Sequence, residues 1–213
     1  MKSLGKVLLV ILLVSLFVLL VGDLVVKSIA EDRMESALQS SFEFSSRPEV
    51  TIKGWPFVVR VIQGNLASVI VVADGVRARG IDLRDVRLQF DDVRFTLEKI
   101  LWGDDRRVRV GRGEGTASIT AAELNSVLSD RDVPATVDFN NGSTVVNSSE
   151  LNVEAAAGVG VDADRLLITP EGGLKTIEFS LPAFAEGVTY TSARVEGSRL
   201  IIEVETGPTT LVF

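Results

Sequence analysis

The sequence predicts an α+β fold: a strongly curved antiparallel β-sheet wrapped around a long amphipathic helix, with an N-terminal transmembrane or signal-anchor helix ahead of it. Three observations carry this. The chain opens on a long uncharged apolar run; residues Leu24 to Phe44 place apolar side chains at helical spacing; and beyond Leu66 short alternating runs are separated by hairpin-type turns.

The opening run, "VLLVILLVSLFVLLVG" (Val7 to Gly22), has sixteen residues without a charge, and "LVV" continues it after Asp23. Its length lies between the roughly 7–15 residues of a secretory apolar region and the roughly 17–25 of a spanning helix. Ser28-Ile29-Ala30 has the small residues that a cleavage site would need, but "DLVVKSIAEDRMESALQSSF" continues as helix without a break, which favours a retained anchor. Residues 1–26 are thus a signal anchor or signal peptide, and 27–213 a single exported domain. The expected location is the cell membrane, single-pass, with the N-terminus cytoplasmic and the domain on the outer (periplasmic or extracytoplasmic) face; secretion after cleavage near Ala30 is the alternative. The Lys/Arg bias supports this orientation only modestly, since Lys27 and Arg33 follow the span closely.

Composition removes several function classes. The chain has no cysteine, so a disulfide framework, a thiol nucleophile and thiolate metal sites are excluded, and no histidine, the commonest general base and zinc ligand. All 29 acidic residues follow Gly22, against 20 of the 22 basic ones, so the exported part carries about −9. Nucleic acid is not an expected partner, because phosphate backbones call for a basic face.

In the helix after the span, Val25, Val26, Ile29, Met34, Ala37, Leu38 and Phe42 recur at roughly helical spacing, and a linker helix packing on its own domain is the plain reading. Pro48 stops the pattern and "EVTIKG" reads as a strand. In "GWPF" (Gly54 to Phe57), Pro56 suits the first turn of a short helix with Phe57, Val58, Val61 and Ile62 on one face and Gly64 closing it. In "VRLQFDDVRFTL", Val86, Leu88 and Phe90 alternate on one parity and Val93, Phe95 and Leu97 on the other; the extra residue at Asp91-Asp92 predicts a β-bulge in one long curved strand, in preference to a tight turn. "ITAAELNSVLSD" contains a capping box, Thr120 with Glu123, ahead of the stripe Leu124, Val127 and Leu128. Turn chemistry at Asn140 to Gly142, Pro170 to Gly173, Ala185 to Gly187 and Glu196 to Ser198 separates the runs Leu151, Val153, Ala155; Ile177, Phe179, Leu181; and Leu200, Ile202, Val204.

"GWPFVVRVIQGNLASVIVVADGVRARGIDLRDVRLQFDDVRF", "ITAAELNSVL" and "GVTYTSARVEGSRLIIEV" resemble successive blocks of the LmeA-like family of actinobacterial cell-envelope proteins. The resemblance covers nearly the whole exported part. It implies phospholipid binding, particularly of phosphoinositide-type lipids, and a fold like the bactericidal/permeability-increasing proteins, in which a curved sheet around a long helix encloses an apolar groove.

On that footing the expected groove or gate residues are Trp55, Phe57, Val58, Ile62, Val86, Leu88 and Phe90. Trp55 and Phe57 keep three readings: core aromatics, a gate of the groove, or contact with the membrane interface, where Trp is favoured. Arg107 and Arg109 in "DDRRVRVGRGEG" would share one strand face, suited either to a lipid phosphate or to a solvated surface with local ion pairs. The adjacent acid pairs Asp91-Asp92 and Asp104-Asp105 point to opposite faces of a strand, so neither is a ready catalytic dyad. No glycine-rich phosphate loop or metal spacing is present. The expected function is non-catalytic binding, as carrier or sensor, of a phospholipid or lipid-linked glycan precursor in envelope lipoglycan biogenesis, with the membrane as partner and no cofactor. The alternative is an envelope scaffold binding proteins or glycans, with no lipid cavity.

Overall fold

The computed structural model describes the backbone of residues 2–41, 43–78, 80–96, 107–148, 150, 152–173, 175–181 and 187–212, and their side chains except at 2–20, 41, 78 and 211–212. Helix α1 (Lys2–Ser41) is followed by β1 (Glu43–Phe44), β2 (Glu49–Lys53), α2 (Phe57–Ile62), β3 (Asn65–Ala78) and β4 (Ile81–Phe95). Then come β5 (Arg107–Val110), β6 (Arg112–Thr120), α3 (Ala121–Asp130), β7 (Ala135–Asn140), β8 (Ser143–Ser148), β9 (Val153–Asp162) and β10 (Arg165–Pro170). The chain closes with β11 (Ile177–Ser180), β12 (Val188–Glu196), β13 (Arg199–Thr206) and β14 (Thr209–Val212). The expected helix to Phe44 ends at Ser41, because Glu43 and Phe44 pair with Arg77 and Val76 of β3. Phe42, Leu97, the Asp104-Asp105 pair and Leu151 lie outside the described residues.

The strands form two antiparallel sheets. The larger, curled into a half-barrel, runs β1-β3-β4-β6-β13-β12, with β2 also on β3, β5 on β4, and β14 on β5. The smaller runs β11-β10-β9-β8-β7.

Strand β4 explains the curl. It stays one strand from Ile81 to Phe95, but Asp85 and Asp92 sit in left-handed conformation at φ 48° and 51°, which Asp tolerates better than most residues. At Asp92 the Gly111 N–H donates to the carbonyls of both Asp91 (3.1 Å) and Asp92 (3.2 Å), as in the bulge that the parity switch predicts. A second irregularity shifts the β4–β6 register between Arg84 and Arg87. Its Asp85 carboxylate accepts from Ser118 Oγ at 3.0 Å and pairs with Arg199. Each extra residue bends the strand, so two of them wrap the sheet.

The main core lies between the sheets and under α3, where Ile119, Leu124, Val137, Leu166, Ile168 and Leu200 are fully buried. A second cluster joins Val50, Ile52, Phe57, Val69 and Val93 to Ala30, Met34 and Leu38 of α1. Helix α1 therefore rests mainly on β2, α2 and β1 at one edge of the half-barrel. The face expected to wrap it is packed instead by α3 and the smaller sheet. The reason is polar. The free N–H groups of edge strand β2 are met by carboxylates on one face of α1: Ile52 N–H donates to Glu31 (2.7 Å) and Val50 N–H to Glu35 (3.1 Å). Lower on the same face, Asp23 accepts from the N–H groups of Phe57 (2.9 Å) and Val58 (2.7 Å). Residues four apart share a helix face, so positions 23, 31 and 35 line up as a clamp, and the sheet edge is covered.

Among the described residues no helix is long and apolar enough to cross a membrane. Most of the expected anchor, Val7 to Val26, lies outside the described side chains.

The capping box of α3 forms as predicted. Glu123 N–H donates to Thr120 Oγ1, and the Glu123 carboxylate accepts from the Thr120 N–H at 2.8 Å and from Arg84 at 2.7 Å. Burial pushes the Glu123 carboxyl up, but Arg84 and the Thr120 N–H and hydroxyl outweigh it and hold the group below its ordinary value. A depressed folded-state value stabilises the fold above the unfolded-state value of about 4.3, and that stability is lost as pH falls through the folded value. Glu123→Gln keeps a capping-box acceptor but loses the charge that engages Arg84, and so lowers stability by about 0.2–1 kcal/mol at neutral pH. Denaturant unfolding repeated in acid, below about pH 4.3, shows the gap to wild type closing; a gap independent of pH contradicts the ionic contribution.

Candidate functional site

A small apolar pocket lies where β4, β6 and β13 face Leu181 and Tyr190. Leu83, Val86, Leu88, Ala117, Ile202 and Val204 form most of its wall, and its volume is about 10 Å³. That is room for about one water molecule, far less than an acyl chain occupies. Two glycines of β6 lie behind its wall residues Leu88 and Val204. Gly115 pairs with Leu88 on one side and Val204 on the other, and Gly113 with Phe90 and Thr206. A Cβ at Gly115 would stand 2.5 Å from Leu88 Cδ2 and 2.9 Å from Val204 Cγ2; at Gly113 it would stand 2.5 Å from Thr206 Cγ2 and 3.1 Å from Phe90 Cδ1. The bare backbone of "GEG" thus forms a furrow in which Leu88 and Phe90 lie.

The expected groove residues divide between two places. Val86 lines the pocket and is buried; Leu88 lines it too and packs against both core clusters; Phe90 belongs to the cluster on the α1 side. Phe57 is 3 % exposed in that second cluster, with Val58 packed against it, whereas Trp55 is 63 % and Ile62 70 % exposed. An apolar row along β4 therefore leads from the pocket towards α2.

The helix α2 follows a cis Trp55–Pro56 bond and takes Pro56 as its N-cap residue, one position earlier than expected. Gly64 ends it at φ 70°, with no space for a side chain: a Cβ there would lie 2.2 Å from the Phe95 carbonyl oxygen. Phe95 N–H donates to Gly64 O at 2.8 Å, which ties the end of β4 to the end of α2.

Basic side chains gather at this end. Arg60 of α2 donates to Asn65 Oδ1 at 3.3 Å; Asn65 pairs with Arg94 across β3–β4, and Arg94 with Arg109 across β4–β5. Arg107 and Arg109 are both exposed on β5. Asp92 engages Arg94 at 2.9 Å, while Arg109 has no ion-pair partner among the described residues. Two arginines directly opposite in a sheet repel, and an anion between them relieves the repulsion.

A second, polar groove of about 530 Å³ lies between α3 and β7–β9, with Asn125, Ser129, Thr136, Asn147 and Glu154 among its walls. Its Asn125 is already committed, bonding both the N–H (2.7 Å) and the carbonyl (2.9 Å) of Val137. No cluster of metal-ligating side chains exists among the described residues.

Sequence reasoning missed the glycine furrow, the partners Leu83 and Ala117, and the acidic clamp. The furrow did leave a trace, Gly113 and Gly115 two apart in a strand, but it was masked by the arginines around it. Neither a curated protein nor a solved structure gives a match to the chain. A family model described as LmeA-like phospholipid-binding matches residues 21–205, from the clamp residue Asp23 through the furrow to β13. The chain belongs to the LmeA-like phospholipid-binding family.

Proposed function

We propose that the protein binds one phospholipid without chemical conversion, as a carrier or sensor in envelope lipoglycan biogenesis, while held to the membrane by its N-terminal segment with the domain on the outer face. The ligand is a phosphoinositide-type lipid or a lipid-linked glycan precursor. One observation carries the reading: the apolar row Val86–Leu88–Phe90 runs from the pocket into the cluster shared with α1, and Leu88 and Phe90 rest on glycines. Side chains held by a bare furrow can swing away, and an acyl chain then takes their place beside Val86, with its phosphate reaching round the sheet edge to the outer face that carries Arg107 and Arg109. The small closed volume is the observation that favours the competing scaffold reading.

Native mass spectrometry of the full chain, released from detergent micelles, separates the two. A single adduct of defined lipid mass is expected on wild type. Gly115→Ala, which crowds Leu88 and Val204 at a cost of about 1–3 kcal/mol, retains the fold and loses most of that adduct. A wild-type chain that carries no lipid, or only a random sample of the bulk lipids, favours the scaffold.

A further inference from the structure

We propose that α2 and the exposed side of α1 from Val21 to Ile29 form one membrane-docking face, with Trp55, Val59 and Ile62 immersed in the outer leaflet of an anionic bilayer. The proposal rests on the anchor reading above and is independent of whether the pocket opens.

Ten large hydrophobic residues are exposed among the described ones, and eight of them are Val21, Leu24, Val25, Val26, Ile29, Trp55, Val59 and Ile62. Such a concentration marks a surface that meets something apolar. Its occupant follows from α1 itself. The five α1 residues continue, within one helix, the uncharged run Val7 to Gly22, so whatever surrounds that run also reaches them. The exposed side of α1 turns polar beyond Ile29, with Asp32 and Arg33 in solvent. That change sets the water boundary. Asp23 lies six residues before Ile29, about 9 Å along the axis at 1.5 Å per residue, and it is Asp23 that grips the first N–H groups of α2. The clamp therefore holds α2 on the bilayer side of the boundary. A carboxylate at that depth would be costly in hydrocarbon, but Asp23 is only 7 % exposed and is satisfied by two backbone donors.

Charge fits as well. Although the chain is acidic overall, Arg60 lies on α2 itself and bonds Asn65, which sits beside Arg94 and Arg109 in the sheet, and the proposal puts this row at the level of the lipid phosphates. Lys27, bridged to Glu31 at 3.6 Å, has the long stem that lets an ammonium reach the same level.

The test uses the full chain with Trp102→Phe, which leaves Trp55 as the sole tryptophan, in phosphatidylcholine–phosphatidylglycerol vesicles whose upper acyl chains are brominated. Trp55→Phe, with Trp102 alone, supplies the background. Carbonate resistance is measured on the same vesicles. The expected result is carbonate-resistant protein whose Trp55 emission is blue-shifted, mostly quenched by the brominated lipid and unaffected by aqueous iodide. Carbonate-resistant protein with Trp55 quenched by iodide overturns the docking face and leaves the anchor standing. Protection from iodide without quenching by brominated lipid assigns the face to a protein contact and also overturns it. Carbonate-extractable protein with Trp55 in water overturns both anchor and docking face. A lipid adduct in native mass spectrometry alongside any of these failures leaves phospholipid binding intact.

Discussion

Phe57→Ala lowers the stability of the domain by about 3–5 kcal/mol, the usual cost of emptying a buried aromatic site, while Trp55→Ala changes it by no more than about 0.5 kcal/mol, as for an exposed position. The two residues are neighbours of Pro56, yet they face different surroundings. Phe57 fills the cluster of Val50, Ile52, Leu66, Val69 and Val93 that joins α1 to the half-barrel, so its loss opens a cavity that β2 and β3 cannot collapse into without breaking their pairing. Trp55 leaves most of its surface outside the protein's own packing. Denaturant unfolding of the full chain in mild detergent, with wild type as reference, reads both effects. Equal losses for the two variants contradict the placement of Trp55, and a negligible loss for Phe57→Ala contradicts the second core. The aromatic pair of "GWPF" thus splits into one packing residue and one outward-facing residue.

What was legible in the sequence is what local chemistry decides. The capping box of α3 needs only Thr120 and Glu123 three apart, and both halves form. The phase change at Asp91-Asp92 is written into the alternation of Val86, Leu88 and Phe90 against Val93 and Phe95, and the strand bulges there without breaking. The same signal at Asp85, where Ile81 and Leu83 hand over to Val86 and Leu88, is equally readable and passed unnoticed. Ile177 with Phe179, and Leu200 with Ile202, lie in strands as their alternation requires. The division into two sheets was not legible, because β6 pairs with β13, some eighty residues on, through backbone groups that carry no residue-specific mark. The position of α1 was hidden for a related reason. Its apolar spacing shows that one face is buried but not against what, and the deciding contacts come from Asp23, Glu31 and Glu35, residues that look like an ordinary solvated stripe. The apolar row on β4 was anticipated at Val86, Leu88 and Phe90, whereas the glycines that make room for it belong to the other strand.

Asp23→Ala is expected to release α2 from α1 and to cost about 3 kcal/mol, since hydrogen bonds to a charged group contribute roughly 1.5–3 kcal/mol each and two buried N–H groups lose their acceptor at once. Glu31→Ala and Glu35→Ala cost less, because each leaves one β2 N–H without its acceptor and otherwise removes only a partly exposed ion pair, to Lys27 and to Arg47 respectively. Asp23→Asn does not restore the site: one of its two terminal atoms becomes a donor and meets an N–H. The measurement specific to the clamp is amide hydrogen exchange at Phe57 and Val58, which should lose protection in Asp23→Ala while amides in β9 and β10 keep theirs, those strands being packed in the other core. If protection at Phe57 and Val58 survives, α2 is held by the packing of Phe57 alone and the depth argument for Trp55 loses its fixed point. If protection is lost throughout the domain, α1 is an integral part of the fold and not a tether added to it. Loss confined to α2 fits a helix held to α1 by the Asp23 carboxylate, the fixed point on which the proposed docking face depends.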